Sequence, residues 1–307
     1  MADQHDEIQQ WHVTEPYVDL HCALGEGPYF EKDTNTLRFV DIKKKQIHTV
    51  SLSEGPDSLK TIQLDVPVTV TANIQGRDPQ HRILVGLKYG IAVLDRKTGT
   101  YEYLSKFGRE DNARLRSNDG AADPHGRFWL GTMTDFGLGS FKPEGSLFRF
   151  DRGGKSVHIT RSDFTIPNSV GWSPDGKTMY FTHSSARQVF AFDYDPITGD
   201  LSNERLFYQH RGEGEPDGFR IDVEGNVWHA VYGEGKVLKI EGGTGKVVGQ
   251  VNLPTRNITC CEFVGRELLI TCADDEEGEG ESRRFGGALW RVEVGVEGLG
   301  KFEFKLD

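Results

Sequence analysis

The sequence predicts an all-β protein, a six-bladed β-propeller of four-stranded antiparallel blades around a central channel. Three observations carry that prediction: a turn-and-strand unit that recurs six times, an alternating strand after each copy, and a near absence of helical periodicity. The unit reads turn, basic or polar residue, then a short apolar strand ending in small residues. Its clearest copies are DPHGRFWLGTM from Asp123, SPDGKTMYFTHS from Ser173 and DVEGNVWHAVY from Asp222. Weaker copies are EKDTNTLRFVDI from Glu31, DPQHRILVGLKYG from Asp78 and FVGRELLITCAD from Phe263. Intervals of about 40 to 50 residues between copies are those of propeller blades.

After each copy comes a segment of period two: KKQIHTVSL, YGIAVLDRK, GSLFRFDR, RQVFAFDYD, GKVLKIEGG and GALWRVEVG. Such alternation marks a half-buried strand. Glycine-containing links such as RKTGTYEYL and DPITGDLSNERLF lead several of these into a further strand, so four antiparallel strands fill the interval. Sheets arranged around an axis bury both faces and leave only short edges. The strand-like starts and ends of the chain, WHVTEPYV from Trp11 and KFEFKLD from Lys301, are expected to share one blade and close the ring. Residues 1–10 are expected to form a mobile tail and residues 11–307 a single domain, because no linker-like stretch divides the chain.

Composition narrows the function. The 307 residues are 36% hydrophobic and 27% charged, with 37 glycines, too apolar for disorder and suited to a turn-rich β fold. A formal charge of -11 repels phosphate backbones and anionic lipid, which argues against nucleic-acid and membrane partners and favours a small neutral or cationic ligand. The start MADQHDEIQQ has neither a basic nor an apolar leader region, and no run of eighteen apolar residues occurs, so the expected location is cytoplasmic. No feature points to an obligate protein partner. Cys22, Cys260, Cys261 and Cys272 lack metal or redox spacing and read as reduced, buried thiols.

In a propeller, residues at one register of successive blades converge on the channel. Counting back eight or nine residues from each turn reaches Glu26, Asn73, Asn118, Asn168, Asp217 and Asn257. Each residue alone has an ordinary role in turns. Six carboxylates and carboxamides at one register instead make a ring of oxygen donors, as hard cations prefer. Glu26 and Asp217 supply charge to balance a divalent ion. Calcium, magnesium or manganese follows from such donors, and carboxylate-bound zinc is also compatible, although no HExxH or His/Cys cluster is present.

Five motifs in order, LGEGPYFEKDTNTLRFVDI, RSNDGAADPHGRFWLGTM, IPNSVGWSPDGKTMYFT, EPDGFRIDVEGNVWHAVYGEGKV and ITCCEFVGRELLITCA, resemble the SMP-30/gluconolactonase, or regucalcin-like, family of sugar lactonases. The resemblance spans roughly residues 17 to 300. It implies a six-bladed propeller with one divalent metal ion as cofactor, calcium first, with Zn2+, Mn2+, Mg2+ or Fe2+ as alternatives. It implies Glu26, Asn168 and Asp217 as metal ligands. Arg116, Asn118 and Asp119 carry over as substrate-binding residues, whereas Asn73 and Asn257 rest on the register count alone. The sequence departs from the family beyond the GTM segment, where Asp135 is followed by Phe136, and at His183-Ser184, where many members have Asp-Ser. For His183 a satisfied structural role is the expectation.

The reaction implied is hydrolysis of small neutral sugar (aldono-) lactones to sugar acids. The metal polarises the carbonyl, and Asp217 as catalytic base, or a metal-bound hydroxide, activates water. No G-x-S-x-G elbow offers a serine nucleophile. Alternatives are a calcium-binding regulatory protein without catalysis and an organophosphate-hydrolysing propeller. WD and kelch signatures of protein-interaction propellers are missing. The run DDEEGEGE from Asp274 lacks the spacing of a calcium loop and reads as a solvated loop.

Overall fold

The turns that mark the repeat are organised by their own side chains. In the computed structural model, which describes residues 8–107 and 113–307, the Asp123 carboxylate accepts the N–H groups of His125 and Arg127, each at 2.9 Å. Its other oxygen accepts the Trp129 indole N–H at 3.1 Å. Asp222 repeats the device with Glu224, Asn226 and the Trp228 indole at 3.0, 2.8 and 2.9 Å. Gly126 and Gly225 complete these two turns at φ of 87° and 88°, where a side chain is disfavoured. One aspartate thereby ties a turn to a tryptophan buried in the next strand.

Each turn joins an innermost strand to the next one outward. The first blade comprises Gly25–Glu31, Thr36–Asp41, Gln46–Ser51 and Lys60–Gln63, and the second Val68–Asn73, Arg82–Leu87, Gly90–Asp95 and Tyr101–Lys106. The third comprises Leu115–Ala122, Phe128–Thr134, Gly145–Phe150 and Val157–Phe164. The fourth comprises Pro167–Trp172, Thr178–His183, Gln188–Tyr194 and Leu201–Gln209. The fifth holds Glu215–Ile221, Val227–Tyr232, Lys236–Ile240 and Val247–Asn252, and the sixth Ile258–Val264, Glu267–Cys272 and Leu289–Glu293. The expected six-bladed, antiparallel propeller is therefore the fold. Among the described residues the α-helix is confined to Gly280–Phe285, and no helix is long and apolar enough to cross a membrane.

Ring closure differs from the expectation that the two ends share a blade. Tyr17 and Val18 complete the sixth blade by bridging Leu289, with Tyr17 N–H donating to its carbonyl at 2.8 Å and Leu289 N–H donating to Val18 at 2.9 Å. The C-terminal segment instead crosses the face that carries the 123–127 and 222–226 turns. Gly298 bridges Asp222 and Phe304 bridges Ile74, while fully buried Phe304 packs with Val70, Ala122 and Phe128. An apolar docking site for Phe302 and Phe304 outcompetes an outer strand position that Val18 already fills. The tail expected over residues 1–10 lies mostly outside the described residues. Gln9–His12, however, is a strand that runs parallel to Val247–Asn252 and sets Trp11 against Trp228 at 5.2 Å.

The core lies between blades. Trp129, Trp172, Trp228 and Trp290, from the third to the sixth blade, are buried, as are all four cysteines, which are free thiols. The acidic run is only partly solvated. Glu276, Glu277 and Glu279 are exposed, but Asp275 is buried and bound by Arg256 through two contacts of 2.7 Å.

Replacing Asp222 by alanine removes four hydrogen bonds, from two backbone N–H groups, the Asn226 amide and the Trp228 indole, and leaves that indole N–H buried without an acceptor. A loss of about 2 to 4 kcal/mol is expected in denaturant unfolding, with a smaller loss for Asp222→Asn. An unchanged midpoint for Asp222→Ala would refute this account of the turn.

Candidate functional site

The innermost strands of all six blades break register near their beginnings. The shifts lie between Glu26 and Tyr29, Val68 and Val70, Ser117 and Gly120, Pro167 and Val170, Pro216 and Phe219, and Ile258 and Cys260. A bulge frees residues from the ladder and re-aims them. One polar residue per blade stands first at its break, Glu26, Thr69, Asn118, Asn168, Asp217 and Thr259, with Asp119 and Ser169 next to two of them. Four match the positions expected from the sequence; Asn73 and Asn257 do not.

The error has a physical cause in loop length. Ten positions separate Glu26, Asn118, Asn168 and Asp217 from the first residues of their following strands, Thr36, Phe128, Thr178 and Val227. From Thr69 to Arg82 the separation is thirteen, and from Thr259 to Glu267 it is eight. Counting from the turn therefore overshoots in one blade and undershoots in the other. Asn73 sits at the opposite end of its strand and accepts a hydrogen bond from Arg38 at 2.9 Å. Asn257 precedes its strand and donates to the Asp274 carbonyl at 3.0 Å.

Contacts between neighbouring blades hold the ring. Asn168 donates through Nδ2 to Asp217 at 2.5 Å and to Ser184 at 3.1 Å. Asn118 Nδ2 donates to the Pro167 carbonyl at 3.0 Å, and Thr69 and Ser117 hydroxyls lie 2.9 Å apart. Asp119 accepts from Ser169 at 2.5 Å, and Ser169 in turn accepts Phe219 N–H at 3.0 Å, a chain that stitches three blades together. Gly218 lets the fifth blade approach the sixth, since a Cβ there would lie 2.4 Å from Cys260 Sγ.

Glu26, Asn168 and Asp217 are all buried, at 7%, 4% and 9% exposure. Burial pushes the Glu26 carboxyl well above the usual carboxylate range, and the charges of Asp217 and Asp119 push it further. Asp217 is raised by burial too, against the lowering effect of the Asn168 hydrogen bond. A half-buried cation, Arg220, lies nearby, donating to the Pro28 carbonyl at 2.9 Å and to Glu262 at 3.0 Å. Among the described residues no three His, Cys, Asp or Glu side chains are grouped to hold a metal by themselves. The donor set at the ring is two carboxylates and a carboxamide, and two crowded, desolvated carboxylates are chemically suited to a hard divalent ion.

Arg116 is 2% exposed and donates through Nη1 to Ser117 O at 2.7 Å and Asn118 Oδ1 at 3.0 Å. Burial lowers its pKa to about 10, offset in part by the charges of Asp135, Glu26 and Asp217. Its Nε is buried without a hydrogen-bond partner, leaving a donor unsatisfied. The departures seen in the sequence meet at this arginine. Phe136 covers the guanidinium at 4.1 Å, and Asp135 lies 4.0 Å from Nε while pairing with Lys88 at 2.6 Å. Asp119, by contrast, already has its oxygens engaged by Ser169 and Gly120 N–H. His183 accepts Thr165 N–H at 3.2 Å and packs edge-on against Phe164, with burial lowering its pKa, so it fills a structural role. Thr69, Thr259, Ser169, Lys88 and Arg220 were missed by sequence reasoning; only the apolar-flanked threonines at the start of VTVTAN and ITCCEF offered a signal.

A family model described as "SMP-30/Gluconolactonase/LRE-like region" matches residues 24–274. Bovine (Bos taurus) regucalcin is 33% identical over 92% of this chain and 95% of its own. A solved luciferin-regenerating enzyme is 32% identical over 92% of this chain and 95% of that chain, with a TM-score of 0.83. A solved calcium-binding protein, regucalcin from Agrobacterium tumefaciens, is 25% identical over 97% and 99%, with a TM-score of 0.85. The chain belongs to the SMP-30/gluconolactonase/LRE-like family.

Proposed function

We propose that the protein hydrolyses small sugar lactones to sugar acids and that it depends on one divalent cation held by Glu26, Asn168 and Asp217. The observation that carries this reading is the burial of Glu26 and Asp217 in one ring, with repulsion raising Glu26 and Asn168 bridging to Asp217. Family membership supports lactone hydrolysis as the chemistry.

When bound, the cation supplies Lewis acidity at the lactone carbonyl and charge to offset the developing oxyanion. Arg116 and Asn118 orient the ring oxygens and hydroxyls, and the unsatisfied Arg116 Nε is a donor awaiting such an oxygen. Phe136 and Asn118 hold the guanidinium in place while it does so. Asp217 receives the proton of the water that attacks the carbonyl carbon and returns it to the ring oxygen as the acyl C–O bond breaks, so the ring opens to a hydroxyl and a carboxylic acid. Asp119 keeps the third, fourth and fifth blades in register through Ser169 and Phe219, so its contribution is to position the neighbouring side chains. A second reading, cation binding without turnover, is favoured by the calcium-binding relative.

Asp217→Asn and Glu26→Gln are each expected to lower acid release from gluconolactone by about 100-fold or more, followed by pH-stat beside elemental analysis of bound metal. Full-rate turnover of wild type in excess chelator would end the metal-dependent reading. Cation binding with no turnover of glucono-, xylono-, arabinono- or rhamnonolactone, or of phosphotriesters, would favour the second.

Adding calcium at about 100 times its Kd is expected to raise the melting temperature by about 4 °C, reversed by chelator. Protons compete for the same oxygens, so this gain should shrink as pH falls. In metal-free protein the raised carboxyls bind protons more tightly than in the unfolded chain. Stability should therefore fall as pH rises from the ordinary carboxylate range towards their raised values. Melts across pH with and without cation check both signs, and a pH-independent difference would refute the competition.

A further inference from the structure

The segment that follows the strand Phe128–Thr134 leaves the third blade beside Arg116, because Arg116 pairs with Met133 and Leu115 with Thr134 at that end of the ladder. Its ends are pinned. Asp135 N–H donates to the Arg114 carbonyl at 2.8 Å, and the Thr134 hydroxyl donates to Glu144 at 2.6 Å while accepting Lys142 N–H at 3.1 Å. Arg114 reaches the same Glu144 carboxylate at 2.7 Å. Between these pins the tip FGLGSF turns on Gly137 and Gly139, at φ 76° and 86°. A Cβ on either glycine would meet nothing within 4 Å, so the tip stands clear of the blade.

This tip is apolar and open to solvent. Leu138 and Phe141 are 44% and 40% exposed. A lone exposed apolar side chain is ordinary, but these two flank a path that leads to the axial site. The Phe136 ring lies 6.4 Å from that of Phe141, and its other neighbour is the Arg116 guanidinium at 4.1 Å. Phe136 is itself fixed, half-buried against the core of the first two blades. An oxygen held by Arg116 therefore has an aromatic ring beside it. Hydroxyls laid along Phe136, Leu138 and Phe141 would give up water and find no donor or acceptor on those side chains, whereas an alkyl chain would cover apolar surface that is now wet. Asp135, the carboxylate of the same segment, is already held by Lys88 at 2.6 Å and by Phe136 N–H at 2.8 Å.

We propose that Phe136, Leu138 and Phe141 form an apolar subsite next to Arg116 and select lactones whose exocyclic group is an alkyl chain over those that carry a run of hydroxyls. The inference rests on lactone hydrolysis at the axial ring and names the substrate class within it. Phe136 is the fixed wall of the subsite, and Leu138 and Phe141 on the glycine-flanked turn determine how far along the chain it extends. A pentyl group is long enough to lie along both phenyl rings.

The test compares three six-membered lactones on the calcium-loaded full chain: δ-valerolactone, δ-decalactone, which adds a pentyl chain to the same ring, and gluconolactone. Each kcat/KM is divided by the rate of uncatalysed hydrolysis. On that scale δ-decalactone is expected to exceed δ-valerolactone by about ten-fold or more, through burial of the added methylenes, and to exceed gluconolactone as well. A Leu138→Ser/Phe141→Ser variant should lose most of that gain through a raised KM for δ-decalactone. Its melting temperature should be unchanged, since both side chains are exposed. Leu138→Ser alone supplies the same comparison, as a smaller loss, if the double variant folds poorly. Turnover of gluconolactone with no gain from δ-valerolactone to δ-decalactone would overturn this inference and leave lactone hydrolysis standing. A gain that both serine variants retain in full would overturn its assignment to this loop. Turnover of none of the three would end the reading as a lactonase, and this inference with it.

Discussion

Desolvation of Glu26 beside Asp217 is the constraint around which the rest of the ring is arranged. Removing one carboxylate from water costs several kcal/mol, and two facing one another cost more, because each opposes ionisation of its neighbour. The fold meets that cost with particular groups. Arg220 contributes a half-buried positive charge that favours the ionised Glu26, and Asn168 donates to Asp217. Gly27 N–H donates to Glu26 at 2.9 Å. Both carboxyls still stay above the ordinary range, so these groups do not cancel the crowding.

Such a site requires a scaffold that resists the repulsion. Cross-blade bonds from Asn118 to Pro167, Asp119 to Ser169, and Thr259 to Gly25 fix the inner strands relative to one another. The bridge from Val18 to Leu289 then prevents the first and last blades from parting. In the third and fifth blades a turn aspartate and a buried tryptophan act farther out, setting where the second strand starts. Rigidity at the axis is thus assembled from contacts spread over the whole chain.

The architecture was legible in the sequence because each turn writes its chemistry locally. An aspartate three residues before glycine and six before tryptophan records the hydrogen bonds of Asp123 and Asp222 almost directly. The ring was legible where turn length is constant, which recovered Glu26, Asn118, Asn168 and Asp217. It failed in the second and sixth blades, where the threonines at the break carry no carboxylate or amide to mark them. Arg220 and Lys88 left no trace, since an arginine's partner across the axis and a lysine's partner on another blade are products of tertiary placement. The route of the C-terminal segment was hidden for a similar reason: KFEFKLD has strand-like alternation, and only the location of an apolar recess near Ile74 decides where it docks.

The path of that last segment bears on what covers the axis. Leu299, Lys301 and Phe302 line a small cavity on the far side of the axis, together with Tyr29, Trp172 and Phe219. Lys301 is anchored there to Glu262 at 2.8 Å. The last segment therefore walls this end of the axis with its own side chains, and its removal would wet the inner strands it now covers.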